Sequence, residues 1–147
     1  MMMEDERMIR RAIEIAEDSK KQGNAPFGAL LVKDGVILME EGNQVHTKND
    51  PTHHAELALI RRFCRETGTR DLGDYTLYTS CEPCVMCAGA LVFTGIGRLI
   101  YSASNKQMAE KTGGGIMISS KEVFKASPHH PVVKGKVLNE EGIVLFE

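Results

Sequence analysis

Apolar residues along the chain alternate between two spacings. Over residues 4–22, Met8, Ile9, Ala12, Ile13 and Ala16 recur every three or four positions, which lines one face of an α-helix, and Gly23 supplies its stop. Residues 27–32 and 36–39 are short apolar runs on either side of Lys33-Asp34-Gly35, and Asp-Gly between such runs predicts a hairpin. Asn49-Asp50-Pro51-Thr52 predicts a helix start, with Asp50 as cap and Pro51 in the first helical position. That helix should run through His54, Glu56 and Leu59 to about Glu66, with Gly68 ending it. Residues 75–79, aromatic and β-branched, predict a third strand leading straight into Cys81-Glu82-Pro83-Cys84. A helix rich in small and apolar residues follows over 84–93.

Residues 98–102 predict a fourth strand, after which the pattern weakens. Residues 105–111 fit a helical turn, Gly113-Gly114-Gly115 a loop, 116–126 a helix and 131–138 a fifth strand, and 143–146 close the chain as a short apolar run. Strands separated by helices require crossover connections and a sheet covered on both faces. The class is therefore α/β, with the first hairpin making the sheet mixed.

Composition adds bounds. At 147 residues the chain, 1–147, is expected to be one domain, able to bury roughly 70 % of its unfolded surface without staples. With 18 basic and 20 acidic residues the net charge is −2, so the molecule has no overall field to attract nucleic acid, and RNA is the less favoured partner. Met1-Met2-Met3-Glu4-Asp5-Glu6 lacks the basic start and apolar run of a secretory signal, and no stretch is apolar enough to span a membrane, so a cytoplasmic location is expected. Three of the four cysteines lie within residues 81–87, which is metal spacing and not a disulfide framework.

Cys84 and Cys87 stand at i and i+3 at a helix start, where both sulfurs can point the same way and the helix terminus favours thiolates. With His54 they make a donor set suited to zinc that leaves the fourth tetrahedral position open to water. His54 and Glu56 are two apart and would diverge on a regular helix, so they can serve one site only off the helix end. There, zinc would lower the pKa of water from about 15.7 toward about 7, and Glu56 would act as base and then as acid. The alternative is a closed structural site of Cys81, Cys84, Cys87 and His54, in which Glu56 has no task. Cys64 reads as a small buried apolar residue, and Met8, Met86, Met108 and Met117 as core or pocket filling. Arg61, Arg62, Arg65 and Arg70 form either a phosphate-binding patch or a solvated helix face interspersed with Glu66 and Asp71. His129 and His130 read as loop.

His54-Ala55-Glu56 and Pro83-Cys84-Val85-Met86-Cys87 resemble the zinc signature of the cytidine deaminase-like superfamily. More closely, Ala25-Pro26-Phe27-Gly28-Ala29, Asn49-Asp50-Pro51-Thr52 and the run from Thr79 through Cys87 to Ala90 are similar to the branch containing guanine deaminases, fungal-type cytosine deaminases and bacterial tRNA adenosine deaminases. The resemblance covers roughly residues 5–112. It implies a three-layer α/β/α sandwich with a five-stranded mixed sheet, one zinc per chain on His54, Cys84 and Cys87 with Cys81 unligated, Glu56 as proton shuttle, and a homodimer or larger assembly. It also implies that Phe27 packs on the base, that Asn43 hydrogen-bonds base or sugar, and that the backbone at Ala55 and the segment at Glu82 form pocket walls.

The chain departs from the pattern in places. His53 stands where alanine is frequent, and near residues 113–115 there is no counterpart of the acidic residue with which bacterial guanine deaminases read guanine. Lys111-Thr112-Gly113 and His129-His130-Pro131 echo the tRNA enzymes, but an end at Glu147 leaves no clear room for their final helix. The expected activity is hydrolytic deamination of a small free nucleobase or nucleoside, guanine- or cytosine-like, with tRNA wobble-adenosine deamination as the alternative.

Overall fold

The computed structural model describes residues 2–147. Helix α1 (Met2–Lys21) opens the chain, with Glu4 and Asp5 in its first turn and Lys20 and Lys21 in its last, the charge order that its dipole favours. Strands β1 (Gly28–Lys33) and β2 (Val36–Gly42) form the expected hairpin. Asp34 and Gly35 both take positive φ, 51° and 75°, as a tight turn of this hand requires. Then come α2 (Ala55–Thr67), β3 (Thr76–Cys81), α3 (Val85–Thr94), β4 (Arg98–Ala103), α4 (Asn105–Thr112), α5 (Ser120–Lys125), β5 (Val132–Lys134) and α6 (Asn139–Ile143), with a 3₁₀ turn over Val144–Phe146.

The strands form one mixed sheet in the order β2-β1-β3-β4-β5. β1 is antiparallel to both β2 and β3, whereas β3, β4 and β5 run parallel. Side chains alternate across the pleat and so divide the core in two. Leu30, Val32, Tyr78 and Ile100 pack on Met8, Ile9, Ala12 and Ala16 of α1. Ala29, Leu31, Leu77 and Leu99 pack on Leu59 and Phe63 of α2 and Leu91 of α3. The result is the α/β/α sandwich. Gly28 lets α1 lie close against β1, because a Cβ there would collide with the Ala12 carbonyl and the Ala16 amide. Among the described residues no helix is long and apolar enough to cross a membrane.

Several boundaries differ from those the pattern predicts. α2 begins at Ala55, not Pro51, because the Asp50 carboxylate closes a local turn by accepting from the Thr52 amide (2.9 Å) and hydroxyl (2.7 Å). The helix expected over 116–126 is confined to α5, since Ser119 and Glu122 form a capping box that starts it at Ser120. Ile116, Met117 and Ile118 are left exposed. β5 is three residues long, and the extended backbone is interrupted soon after it by Lys136 and Leu138 at φ 61° and 50°. Residues 143–146, expected as a short apolar run, are preceded by the five-residue α6 and close in a 3₁₀ turn, and the two fold back on β4 and α1.

Candidate metal centre

β2 and β3 end at the same edge of the sheet, because each is antiparallel to β1 between them. α3 starts directly beyond β3, and α2 starts after the 43–54 loop beyond β2, so two helix amino termini meet at this edge. His54 is the N-cap residue of α2 and Cys84 that of α3, both with extended backbone and neither side chain used for capping. Both side chains are therefore free to turn outward from the helix ends.

His54 Nδ1 lies 3.5 Å from Cys84 Sγ and 3.8 Å from Cys87 Sγ. All three donor atoms fall within 4.8 Å of one another. A tetrahedral zinc with Zn–S near 2.3 Å and Zn–N near 2.1 Å places its N and S ligands about 3.6 Å apart, so the donor set fits that ion before it binds. Cys81 is buried at the end of β3 and stands outside the group, so the closed four-ligand arrangement is not formed among the described residues.

Charge at the centre is unbalanced. The Cys84 thiol is drawn down to about 4, first by a hydrogen bond from Cys87 and then by His54. Cys87 is pushed the other way by that same hydrogen bond and by burial, whereas a metal would take both sulfurs as thiolates. His54 is raised by its bond to Cys84. Glu56, the second residue of α2 and 5 % exposed, is pushed up to about 7, mainly by burial and further by the nearby Cys84. His54 and a hydrogen bond with Thr79 oppose this shift without cancelling it.

These groups open into a cavity of about 340 Å³ lined by His54, Glu56 and Cys84 together with apolar residues including Phe27, Pro51, Val85, Met86, Met108 and Ile116. Glu82 and Asn105 also line it. The Phe27 ring is supported by Phe146, with centroids 5.6 Å apart. Asn43 and Ala55 are buried, and the Asn43 side-chain carbonyl accepts from the Val45 amide (3.0 Å). Sequence reading did not assign Asn105, Gly115 or Ile116 to the site. They reach it through tertiary contacts from a stretch with weak periodicity.

The remaining candidates lie elsewhere. Arg61, Arg62 and Arg65 line a separate polar cleft of about 450 Å³ with Lys48 and His53. Arg62 is held there by Glu41 (3.1 Å) and Glu66 (3.2 Å). Asp50, Thr52 and His53 line this cleft and Pro51 and His54 the metal cavity, so a single segment separates the two. His53 Nε2 is buried without a hydrogen bond, 3.9 Å from Glu41. His129 and His130 brace their own loop, with Nε2 atoms bonded to the carbonyls of Ile96 (2.6 Å) and Ser127 (3.0 Å).

Residues 2–103 match the family described as the cytidine and deoxycytidylate deaminase zinc-binding region. The guanine deaminase of Bacillus subtilis is 44 % identical over 109 residues, covering 74 % of this chain and 70 % of that protein. A probable cytosine deaminase of Schizosaccharomyces pombe is 34 % identical over 142 residues, covering 92 % and 86 %. A solved structure from work on A-to-I editing by tRNA:A34 deaminases at the wobble position superposes with a TM-score of 0.82 at 33 % identity, covering 95 % of this chain and 98 % of that one. With its three-donor centre, the chain belongs to the cytidine and deoxycytidylate deaminase zinc-binding family and is a zinc-dependent hydrolytic deaminase.

Proposed function

We propose that this deaminase acts on a small free nucleobase or nucleoside, guanine- or cytosine-like, and releases ammonia. The observation that carries this reading is the cavity. About 340 Å³ lies at the small end of the ligand-site range and suits one flat heterocycle, and its lining is mostly apolar with a few polar groups at one end. The similarity to guanine and cytosine deaminases points the same way.

In this reading His54, Cys84 and Cys87 hold one zinc, which when bound supplies a Lewis acid that makes water nucleophilic at neutral pH. Phe27 and Met108 contact the base plane, whereas Asn43 and Ala55 are buried outside the cavity lining. Glu56 takes a proton from the attacking water as its oxygen bonds to the ring carbon bearing the amine. The electron pair of the ring C=N bond moves to the ring nitrogen, to which Glu56 passes that proton. Glu56 then carries the remaining hydroxyl proton to the amine nitrogen, the C–N bond breaks, and ammonia leaves as a carbonyl replaces the amine. Burial raises the Glu56 carboxyl in the metal-free protein, and a cation held beside it would draw it back down, so the group can both accept and release a proton there.

A second reading, wobble-adenosine deamination in tRNA, is favoured by the cationic residues of the neighbouring cleft and by the tRNA-deaminase structure. An ammonia-release screen across cytosine, guanine, adenine, their nucleosides and an anticodon stem-loop separates the two. The first reading expects turnover of a free base or nucleoside with little salt dependence. Turnover confined to the stem-loop, and falling steeply with salt, would replace it with the second.

A further inference from the structure

Glu82 lines the cavity, but its carboxylate is filled by donors from two other elements. Oε1 accepts from the amide of Asn105, the first residue of α4 (3.0 Å). Oε2 accepts from both the amide (2.8 Å) and the hydroxyl (2.5 Å) of Ser120, the first residue of α5. A return bond runs from the Asn105 side-chain amide to the Pro83 carbonyl (3.0 Å). Glu82, Asn105 and Ser120 are all buried, at 7 %, 6 % and 2 % exposure.

Residues 82 and 83, immediately before the ligand Cys84, therefore grip both ends of the segment from 105 to 120. Between the grips lie Met108, Gly115 and Ile116, which form one wall of the cavity. The middle of the segment is loosely held. Gly113 and Gly115 take positive φ, and Ile116, Met117 and Ile118 are exposed by 63, 56 and 42 %.

We propose that Glu82 is a positioning residue that sets substrate selectivity: one carboxylate ties both ends of the 105–120 wall to the metal loop and so fixes the width of the pocket. The proposal rests on reading the cavity as the base pocket. A carboxylate accepts hydrogen bonds at both oxygens, and three protein donors already occupy this one, so its part in selectivity runs through the wall. Glutamine has the same reach but presents an amide N–H₂ toward one set of donors, which releases one end of the segment.

The test compares zinc-loaded wild type, Glu82→Gln, the milder Ser120→Ala and the double variant. Three readouts are taken: zinc content, amide hydrogen exchange of peptides covering 105–120, and ammonia-release kinetics over the panel of bases, nucleosides and stem-loop. Zinc is expected to stay at one per chain. Exchange within 105–120 should accelerate about tenfold in Glu82→Gln, the loss of roughly one hydrogen bond, and less in Ser120→Ala, with other peptides unchanged. The kcat/KM ratio between the best and the next substrate should fall about tenfold through KM, kcat staying within about threefold, and the double variant should be no worse than Glu82→Gln alone.

Unchanged exchange in 105–120 would overturn the proposal. So would a collapse of kcat at constant KM, which would make Glu82 part of the chemistry, or loss of zinc, which would make it a support for the ligands. Should Glu82→Gln fail to fold, Ser120→Ala carries the same expectations at smaller size. Should wild type turn over nothing in the panel, the base-pocket reading fails, and the exchange result alone decides whether Glu82 holds the wall.

Discussion

The two faces of the sheet each bury a carboxylate, and they treat it in opposite ways. On the α1 face, Asp5 is 2 % exposed and receives the Tyr78 hydroxyl (2.7 Å), the Lys134 ammonium (3.2 Å) and the Arg98 guanidinium (3.5 Å). Burial pushes its pKa up, but these partners outweigh it and hold the group below the ordinary carboxylate range. On the α2 face, Glu56 is as deeply placed, and burial together with the Cys84 thiol outweighs the opposing effects of His54 and Thr79, so in the metal-free protein it is pushed up to about 7. A buried acid saturated with donors is fixed in one state and serves the fold. One buried beside a negative neighbour can change state near neutral pH, which is what the proposed proton transfer requires.

This contrast predicts opposite signs for two nearly isosteric changes. Glu56→Gln should stabilise the metal-free protein at pH 8 by up to about 3 kcal/mol, since a pKa unit corresponds to about 1.4 kcal/mol. The sign follows from the folded pKa lying above the unfolded one: the wild-type carboxyl costs nothing below about pH 4.5, and its cost grows as pH rises through about 7. Thermal melts with chelator across that range check it, and a destabilised variant at pH 8 would remove the contrast.

Asp5→Asn should act in reverse and somewhat less, costing about 2 kcal/mol at pH 7, the worth of a hydrogen bond to a charged group. For a chain of this length that is a fall in Tm of roughly 4–8 °C. Because the folded pKa is depressed, the Asp5 contribution is complete above the unfolded value near 3.8 and is lost as pH falls through the lower folded value. The difference between the melts of variant and wild type should therefore narrow below about pH 4. A constant difference across pH would assign the loss to packing and not to charge.

The same division explains what could be read from the sequence. The candidate ligands and Glu56 sit in two short contiguous blocks whose spacing and helix-start position already specify convergent donors, and the strands of the central sheet announce themselves by their apolar runs. Helix α2 was misplaced by a few residues because the Asp50 side chain, a helix-cap signal in sequence, is used for a turn onto Thr52. The far wall was not legible. Met108 reads in sequence as core or pocket filling but Ile116 carries no site signal; both lie on a segment that Glu82 bonds at Asn105 and Ser120, 23 and 38 positions away, and no local pattern encodes such a grip. The short α6 carries no sequence signal either: Gly142 within it is a poor helix former, and it is needed there because a Cβ would collide with the Ser102 hydroxyl of β4.

The central claim, that Glu56 moves the proton while His54, Cys84 and Cys87 hold the metal, is tested most directly by Glu56→Ala. Zinc content and ammonia release are measured on the same sample, with whichever panel substrate the wild type turns over. The expected result is one zinc per chain with turnover reduced by about 10²- to 10⁴-fold, the usual worth of a general acid–base group. Full zinc with undiminished ammonia release would contradict it.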